Sequence, residues 1–185
     1  MAGPFYDPMH GMYHQFFQDH LSLKGGGISW GHWASRDFVR WTSLPVAIWP
    51  DQWYDGNAIF TGSATLDESG NPVITYPGMC SCPQGEKGQP RPVCPGGAAA
   101  QQACRGGAAY SQAIPSNRSD PLLKNWSKPM TNPIINNTGD DPATAWKTAY
   151  GEWRFIGNGG RSMPLFTAKE LRGPWTTVGV VANLT

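Results

Sequence analysis

Ser119-Asp-Pro-Leu-Leu-Lys-Asn-Trp126-Ser-Lys carries the plan that decides the fold: a small residue, an acid, apolar positions, then Trp and a hydroxyl residue. The same plan stands in Ser35-Arg-Asp-Phe-Val-Arg-Trp41-Thr-Ser and in Ala168-Lys-Glu-Leu-Arg-Gly-Pro-Trp175-Thr-Thr. Trp126 and Trp175 are 49 residues apart. Trp41 and Trp126 are 85 apart, which falls to a similar spacing once an insertion at about 79–106 is set aside. A second landmark precedes each Trp turn: Phe5 to His14 around Gly11, Ala64 to Tyr76 around Gly70, and Ala145 to Phe155 around Gly151. Each reads as strand, Gly-containing turn, strand. Two landmarks recurring in one order, with a period of 40–50 residues and about four short strands per period, are the signature of a propeller blade.

Composition agrees. The 185 residues hold 23 Gly and 17 Pro with nine Trp, a mixture that suits short strands and tight turns. An all-β chain with about three propeller blades follows, its ring not closed, since a propeller needs at least four. The only short helix candidates are Phe38–Trp41 and Ala98–Ala103. A net charge of +1 gives no electrostatic reason to expect nucleic acid or an anionic membrane as partner. No apolar run approaches the roughly 18–20 residues that span a bilayer. The opening Met1-Ala-Gly-Pro-Phe-Tyr-Asp7 has neither the basic flank nor the apolar core of a signal peptide.

Cys80, Cys82, Cys94 and Cys104 all fall in the insertion. Their spacing fits zinc poorly and suits one or two local disulfides, with three pairings possible. This Gly/Pro/Ala-rich stretch is expected to lie outside the sheets as a long irregular loop. Asn-x-Ser/Thr sequons at Asn117, Asn125, Asn136 and Asn183 suggest a secreted or vacuolar glycoprotein as the parent.

With these residues quoted, the chain resembles glycoside hydrolase family 32, the invertases, inulinases, levanases and fructan exohydrolases. Trp30-Gly-His-Trp-Ala-Ser-Arg-Asp-Phe-Val-Arg-Trp-Thr-Ser-Leu-Pro-Val-Ala-Ile48 is similar to the family's Trp-Gly-His…Ser-x-Asp-Leu-x-x-Trp…Leu-Pro block. Pro50-Asp-Gln-Trp-Tyr-Asp55 with Phe60-Thr-Gly-Ser-Ala-Thr65 is similar to its Tyr-Asp…Phe-Ser-Gly-Ser-Ala-Thr segment. Asp140-Asp-Pro-Ala-Thr-Ala-Trp146 is similar to its Arg-Asp-Pro-Thr-Thr-Ala-Trp. The resemblance implies that residues 1–185 form a partial N-terminal domain of a five-bladed propeller. It implies a retaining β-fructofuranosidase type of hydrolase, acting on sucrose or fructan without metal or cofactor.

The resemblance also assigns the residues. Asp141 matches the carboxylate that holds fructosyl hydroxyls and stabilises the oxocarbenium-like transition state; the competing reading is an Asx-type turn before Pro142. Gln18 matches an amide bonded to the sugar or nucleophile, unless it merely faces solvent. Phe60 and Thr61 match a Phe-Ser pair lining the pocket, unless they are ordinary strand packing. The family's nucleophile lies in Asn-Asp-Pro-Asn-Gly-Pro; Gly3-Pro4-Phe5-Tyr6 matches only that motif's tail, which puts the Asp just before Met1. The acid/base Glu of a Glu-Cys motif has no counterpart up to Thr185, so the chain alone is expected to be inactive and the C-terminal part of the same protein is an expected partner. Asp7, Asp19 and Glu152 read as turn or surface acids rather than substitutes. Asp140 stands where the family has Arg, setting two carboxylates side by side, and Gly25-Gly26-Gly27 replaces an aromatic wall. The alternatives are a catalytically inactive fructosyl-sugar-binding propeller, or a fragment without function.

Overall fold

The computed structural model describes residues 2–20, 27–81, 94–105 and 107–183. The first blade is the meander β1 (Ala2–Asp7), β2 (Met12–His20), β3 (Ile28–Ser35) and β4 (Thr42–Ile48), each strand antiparallel to the next. A two-residue strand, β5 (Ala58–Ile59), runs parallel to β3 and antiparallel to β7 of the second blade. That blade is β6 (Ser63–Leu66), β7 (Pro72–Met79), β8 (Ala108–Pro115) and β9 (Trp126–Ser127), with β10 (Ile135–Thr138) added to β8. The third is β11 (Trp146–Lys147), β12 (Trp153–Ile156), β13 (Ser162–Ala168) and β14 (Thr176–Asn183). The three consecutive four-stranded units read from the repeat are present.

Both landmarks have physical causes. Gly11, Gly70 and Gly151 each close the turn between the first and second strands of a blade with φ of 61°, 76° and 84°, a conformation that costs a residue with a Cβ. Trp41 immediately precedes β4, Trp126 opens β9 and Trp175 immediately precedes β14, so all three start the fourth strand. In the first two blades the preceding acid shapes the turn. The Asp37 carboxylate accepts the Val39 and Arg40 amides, and the Asp120 carboxylate accepts those of Leu122 and Lys124. The Trp surroundings differ, however. Trp126 meets Phe16 of the first blade edge-on at 5.5 Å, whereas Trp175 meets Phe155 of its own blade at 4.7 Å.

The cores lie between blades. Phe16, Trp30 and Ile48 pack with Ile59, Ile74 and Tyr76, joining the first and second blades. Val73 and Tyr110 pack with Trp153, Phe155, Phe166 and Trp175, joining the second and third. Burying these faces supplies most of the stabilisation, at about 25 cal/mol per Å² of apolar surface. Within the first blade, the Phe17 ring lies across Gly31, leaving no room for a Cβ there. That explains the Gly of Trp30-Gly-His.

Two expectations need correction. Phe38–Trp41 is a bend rather than a helix, because Phe38 takes φ 61° while its backbone is tied to Asp37. The insertion is not irregular throughout: Gly97–Ala103 forms the helix α1, as its Ala run permits. A Cys80–Cys104 disulfide ties α1 to the end of β7, and Ala100, Cys94 and Cys104 pack against Trp53. Cys82 lies outside the described residues.

Candidate functional site

The innermost strands of the blades lie side by side, and their register locates the expected site residues. Gly3 of β1 sits so close to β6 that a Cβ on it would stand 3.3 Å from the Ala64 nitrogen. The Ser63 hydroxyl donates to the Ala143 carbonyl at 3.4 Å, and the Thr65 hydroxyl to the Ala145 carbonyl at 3.4 Å. Both bonds span a constant offset of 80 residues, so β6 and the segment entering β11 run in parallel register. Thr61 and Asp141 each lie two residues before the first of these bonded pairs.

Phe60 is held at this edge from two sides. Its amide donates to the Pro77 carbonyl at 3.0 Å, and its carbonyl accepts the Trp30 indole N–H at 3.0 Å. Trp30 is paired across β2 and β3 with Gln18. Gln18 continues the alternation of Met12, His14 and Phe16 along β2, so it shares their core-facing side, but it extends beyond the start of β1 and is only half-buried. Phe60 and Thr61 precede β6 and Asp141 precedes β11, whereas Gln18 lies near the finishing end of β2, one strand out from β1. They do not share one cavity wall. Asp141 is exposed and lines a cleft of about 330 Å³ with Ile156, Asn158 and Met163, in which the other three take no part. Met1 lies outside the described residues.

Asp141 has φ 50° and Pro142 behind it is buried, a strained backbone for a non-glycine residue. The neighbouring Asp140 is half-buried. Burial first, and then the charge of Asp141, push its carboxyl above the usual carboxylate range. Tyr110, a residue the sequence reading did not single out, anchors this segment. Its hydroxyl accepts the Asn158 amide at 2.8 Å, and its one hydrogen faces the Asp140 carbonyl at 3.2 Å and the Asn158 carbonyl at 3.4 Å. Burial pushes the Tyr110 phenol up to about 12, so it remains a neutral donor.

The finishing end of β1 is different. Asp7, read as a turn or surface acid, is fully buried. Arg118 grips it with both guanidinium nitrogens, His10 stands 2.7 Å away, and the Met9 amide donates at 3.1 Å. Burial raises the Asp7 carboxyl, but the Arg118 and His10 bonds outweigh it and hold the group at about 2. Arg118 also donates to the Gly70 carbonyl at 3.0 Å, so it clamps the inner hairpins of two blades together. Beside it, His14 and His32 are buried with their rings joined by one bond of 2.9 Å, and burial lowers them to about 4 and about 3. Among the described residues no group of three or more His, Cys, Asp or Glu could hold a metal, and no helix is long and apolar enough to cross a membrane.

Against known proteins, residues 2–183 match the glycosyl hydrolases family 32 N-terminal domain. The chain is 35% identical over 152 residues to an acid beta-fructofuranosidase 4, vacuolar, of Arabidopsis thaliana, covering 78% of this chain and 19% of that protein. It superposes on fructan 1-exohydrolase IIa from Cichorium intybus with a TM-score of 0.76 at 27% identity, covering 99% of this chain and 32% of the other. A variant of that enzyme in complex with 1-kestose gives a TM-score of 0.74 at 28% identity, covering 98% of this chain and 32% of the other. The chain therefore spans about a fifth to a third of the length of these relatives. Its three blades, their order and the matched motifs make it a member of glycosyl hydrolase family 32, built on that family's N-terminal propeller domain.

Proposed function

We propose that this chain supplies the fructosyl-binding part of a β-fructofuranosidase-type hydrolase acting on sucrose or a fructan. Asp141 accepts hydrogen bonds from the fructosyl hydroxyls and complements the positive charge that develops on the sugar ring. Gln18 bonds the sugar, and Phe60 and Thr61 line its pocket. The observation that supports the reading is the common register of β6 and the segment before β11, bonded at Ser63–Ala143 two residues after Thr61 and Asp141. A retaining mechanism needs two further carboxyl groups about 5–5.5 Å apart. Neither the Asn-Asp-Pro nor the Glu-Cys motif that carries them in the family occurs in residues 1–185.

Two assays test this. The purified 185-residue chain should release no fructose from sucrose or inulin. A chimera placing residues 2–183 in the corresponding segment of a family 32 enzyme should hydrolyse sucrose, and Asp141→Asn should lower its kcat by about 10²-fold or more, as loss of one transition-state contact does. A chimera indifferent to Asp141→Asn would refute the assignment. One observation favours a second reading, that of an inactive sugar-binding propeller: Asp140 beside Asp141 replaces a cation by a like charge. A chimera that binds sucrose without hydrolysing it would select that reading. We place the parent protein in a secretory or vacuolar compartment, since all four sequon asparagines, Asn117, Asn125, Asn136 and Asn183, are exposed.

A further inference from the structure

At the outer rim, three strands away from β1, the ends of β4 and β9 enclose a cleft of about 270 Å³. Its walls include Trp49, Asp51, Gln52, Trp126 and Lys128. Trp49 is 52% exposed, a large indole face left open to solvent just after a buried strand end. The loop that carries it is rigidly held. Lys128 donates to the Trp49 carbonyl and to Asp51 at 2.6 Å, and lies 2.6 Å from the fully buried Asp55. Asp55 in turn accepts the Gln52 amide at 2.9 Å and the Tyr76 hydroxyl at 2.9 Å. The Lys128 cation is thus spent on two carboxylates and a carbonyl, which leaves no surplus positive charge for a phosphate or other anion. Asp51, with its side chain 60% exposed, gives one carboxylate oxygen to Lys128 and to the Gln52 side-chain amide at 3.3 Å, and keeps the other unpaired among the described residues. On the opposite wall Trp126 is half-buried, and its indole N–H is closed off from the cleft with no acceptor among the described residues.

An open aromatic face, an unpaired carboxylate oxygen and an amide on a fixed frame match the alternating C–H faces and hydroxyls of a sugar ring. They suit neither a purely apolar ligand nor an anionic one. We infer that the cleft between β4 and β9 is a second saccharide site, taking one neutral sugar ring stacked on Trp49 and hydrogen-bonded by Asp51 and Gln52. The site holds a ring without hydrolysing it and does not rest on the Asp141 reading. At about 4.8 Å per strand it lies roughly 14 Å from β1 and roughly 10 Å from Gln18, which reaches the cleft wall at Ile48 through Trp30.

The experiment is a sucrose titration of the isotope-labelled 185-residue chain, following the nine tryptophan indole N–H signals by NMR. The Trp49 and Trp126 signals should shift saturably. Trp49→Ala should abolish the Trp126 shift, Asp51→Asn should weaken binding about tenfold, and Asp141→Asn should leave both signals titrating as before. Trp49→Phe, which keeps an aromatic face, should retain binding within about threefold. The inference is overturned if the Trp49 signal does not move, or if Asp141→Asn removes its shift. It is also overturned if Trp49→Ala, with its other indole signals unchanged, binds as tightly as the parent. Shifts confined to the Asp141 edge would overturn this site and leave the proposed function standing.

Discussion

The inner strands present carboxylates at both ends, and the two ends treat them in opposite ways. At the finishing end Asp7 is buried, gripped by Arg118 and held at about 2. At the starting end Asp140 and Asp141 sit in tandem with no cation on either among the described residues, Asp140 pushed above its ordinary value and Asp141 exposed with a left-handed backbone. An ion pair that is satisfied and inaccessible has stability as its only task. Carboxylates left unpaired at the mouth of a strained segment are available to a ligand, and cost stability in its absence. The same blade scaffold thus sets a satisfied, buried carboxylate at one end against a tandem of more accessible ones at the other, the end proposed to recognise sugar.

The most severe way to break this comparison is to remove the clamp. Arg118→Ala leaves the Asp7 charge buried without its partner, which costs about 3–5 kcal/mol in such sites. Urea denaturation should show that loss at neutral pH, and an unchanged midpoint would mean that the clamp contributes nothing.

A smaller effect comes from acid. His14 and His32 carry folded values of about 4 and about 3, below the unfolded value of 6.5. The unfolded chain therefore takes up protons first, so stability is full above pH 6.5 and falls as the pH drops from there towards 4 and then 3. Asp7 adds a loss only below pH 3.8, as the pH approaches its folded value of about 2. The two histidines together should cost a few kcal/mol across this window. Melting curves at pH 7, 5.5 and 4 read the slope, which the double variant His14→Gln and His32→Gln should flatten.

The smallest effect belongs to the recognising end. A carboxyl raised in the folded state destabilises it above the unfolded value, so Asp140→Asn should slightly raise stability at pH 7. The gain should vanish near pH 3, where Asp140 is protonated in both states. A loss of stability at pH 7 would show that Asp140 is paired.

Local order was legible in the sequence because local chemistry sets it. Gly11, Gly70 and Gly151 need positive φ, and Asp37 and Asp120 cap their own turns, so hairpins and Trp turns could be read and counted. The Ala run of α1 was visible as a helix candidate, yet the insertion was expected to stay irregular, because the Trp53 packing and the Cys80–Cys104 link that support it are not local signals. Asp7 does cap its turn through the Met9 amide, but its burial is not legible for the same reason: its partner Arg118 is 111 residues away. Tyr110 was invisible too, since nothing in its neighbours announces the Asp140 carbonyl and Asn158 groups it meets. The expected site residues come from motif resemblance, while their placement across blades depends on long-range contacts such as the register of β6 with Ala143 and Ala145.

That register carries the central claim, that Thr61 and Asp141 serve one sugar. Its most direct test is a fructose titration of the labelled chain, following the backbone amides of these two residues. The account predicts that both move with a single dissociation constant, and that Asp141→Asn weakens binding at least about tenfold at both. If the Thr61 amide stays still while Asp141 responds, or Asp141→Asn binds fructose as the parent does, the starting ends of the strands are not a shared sugar site.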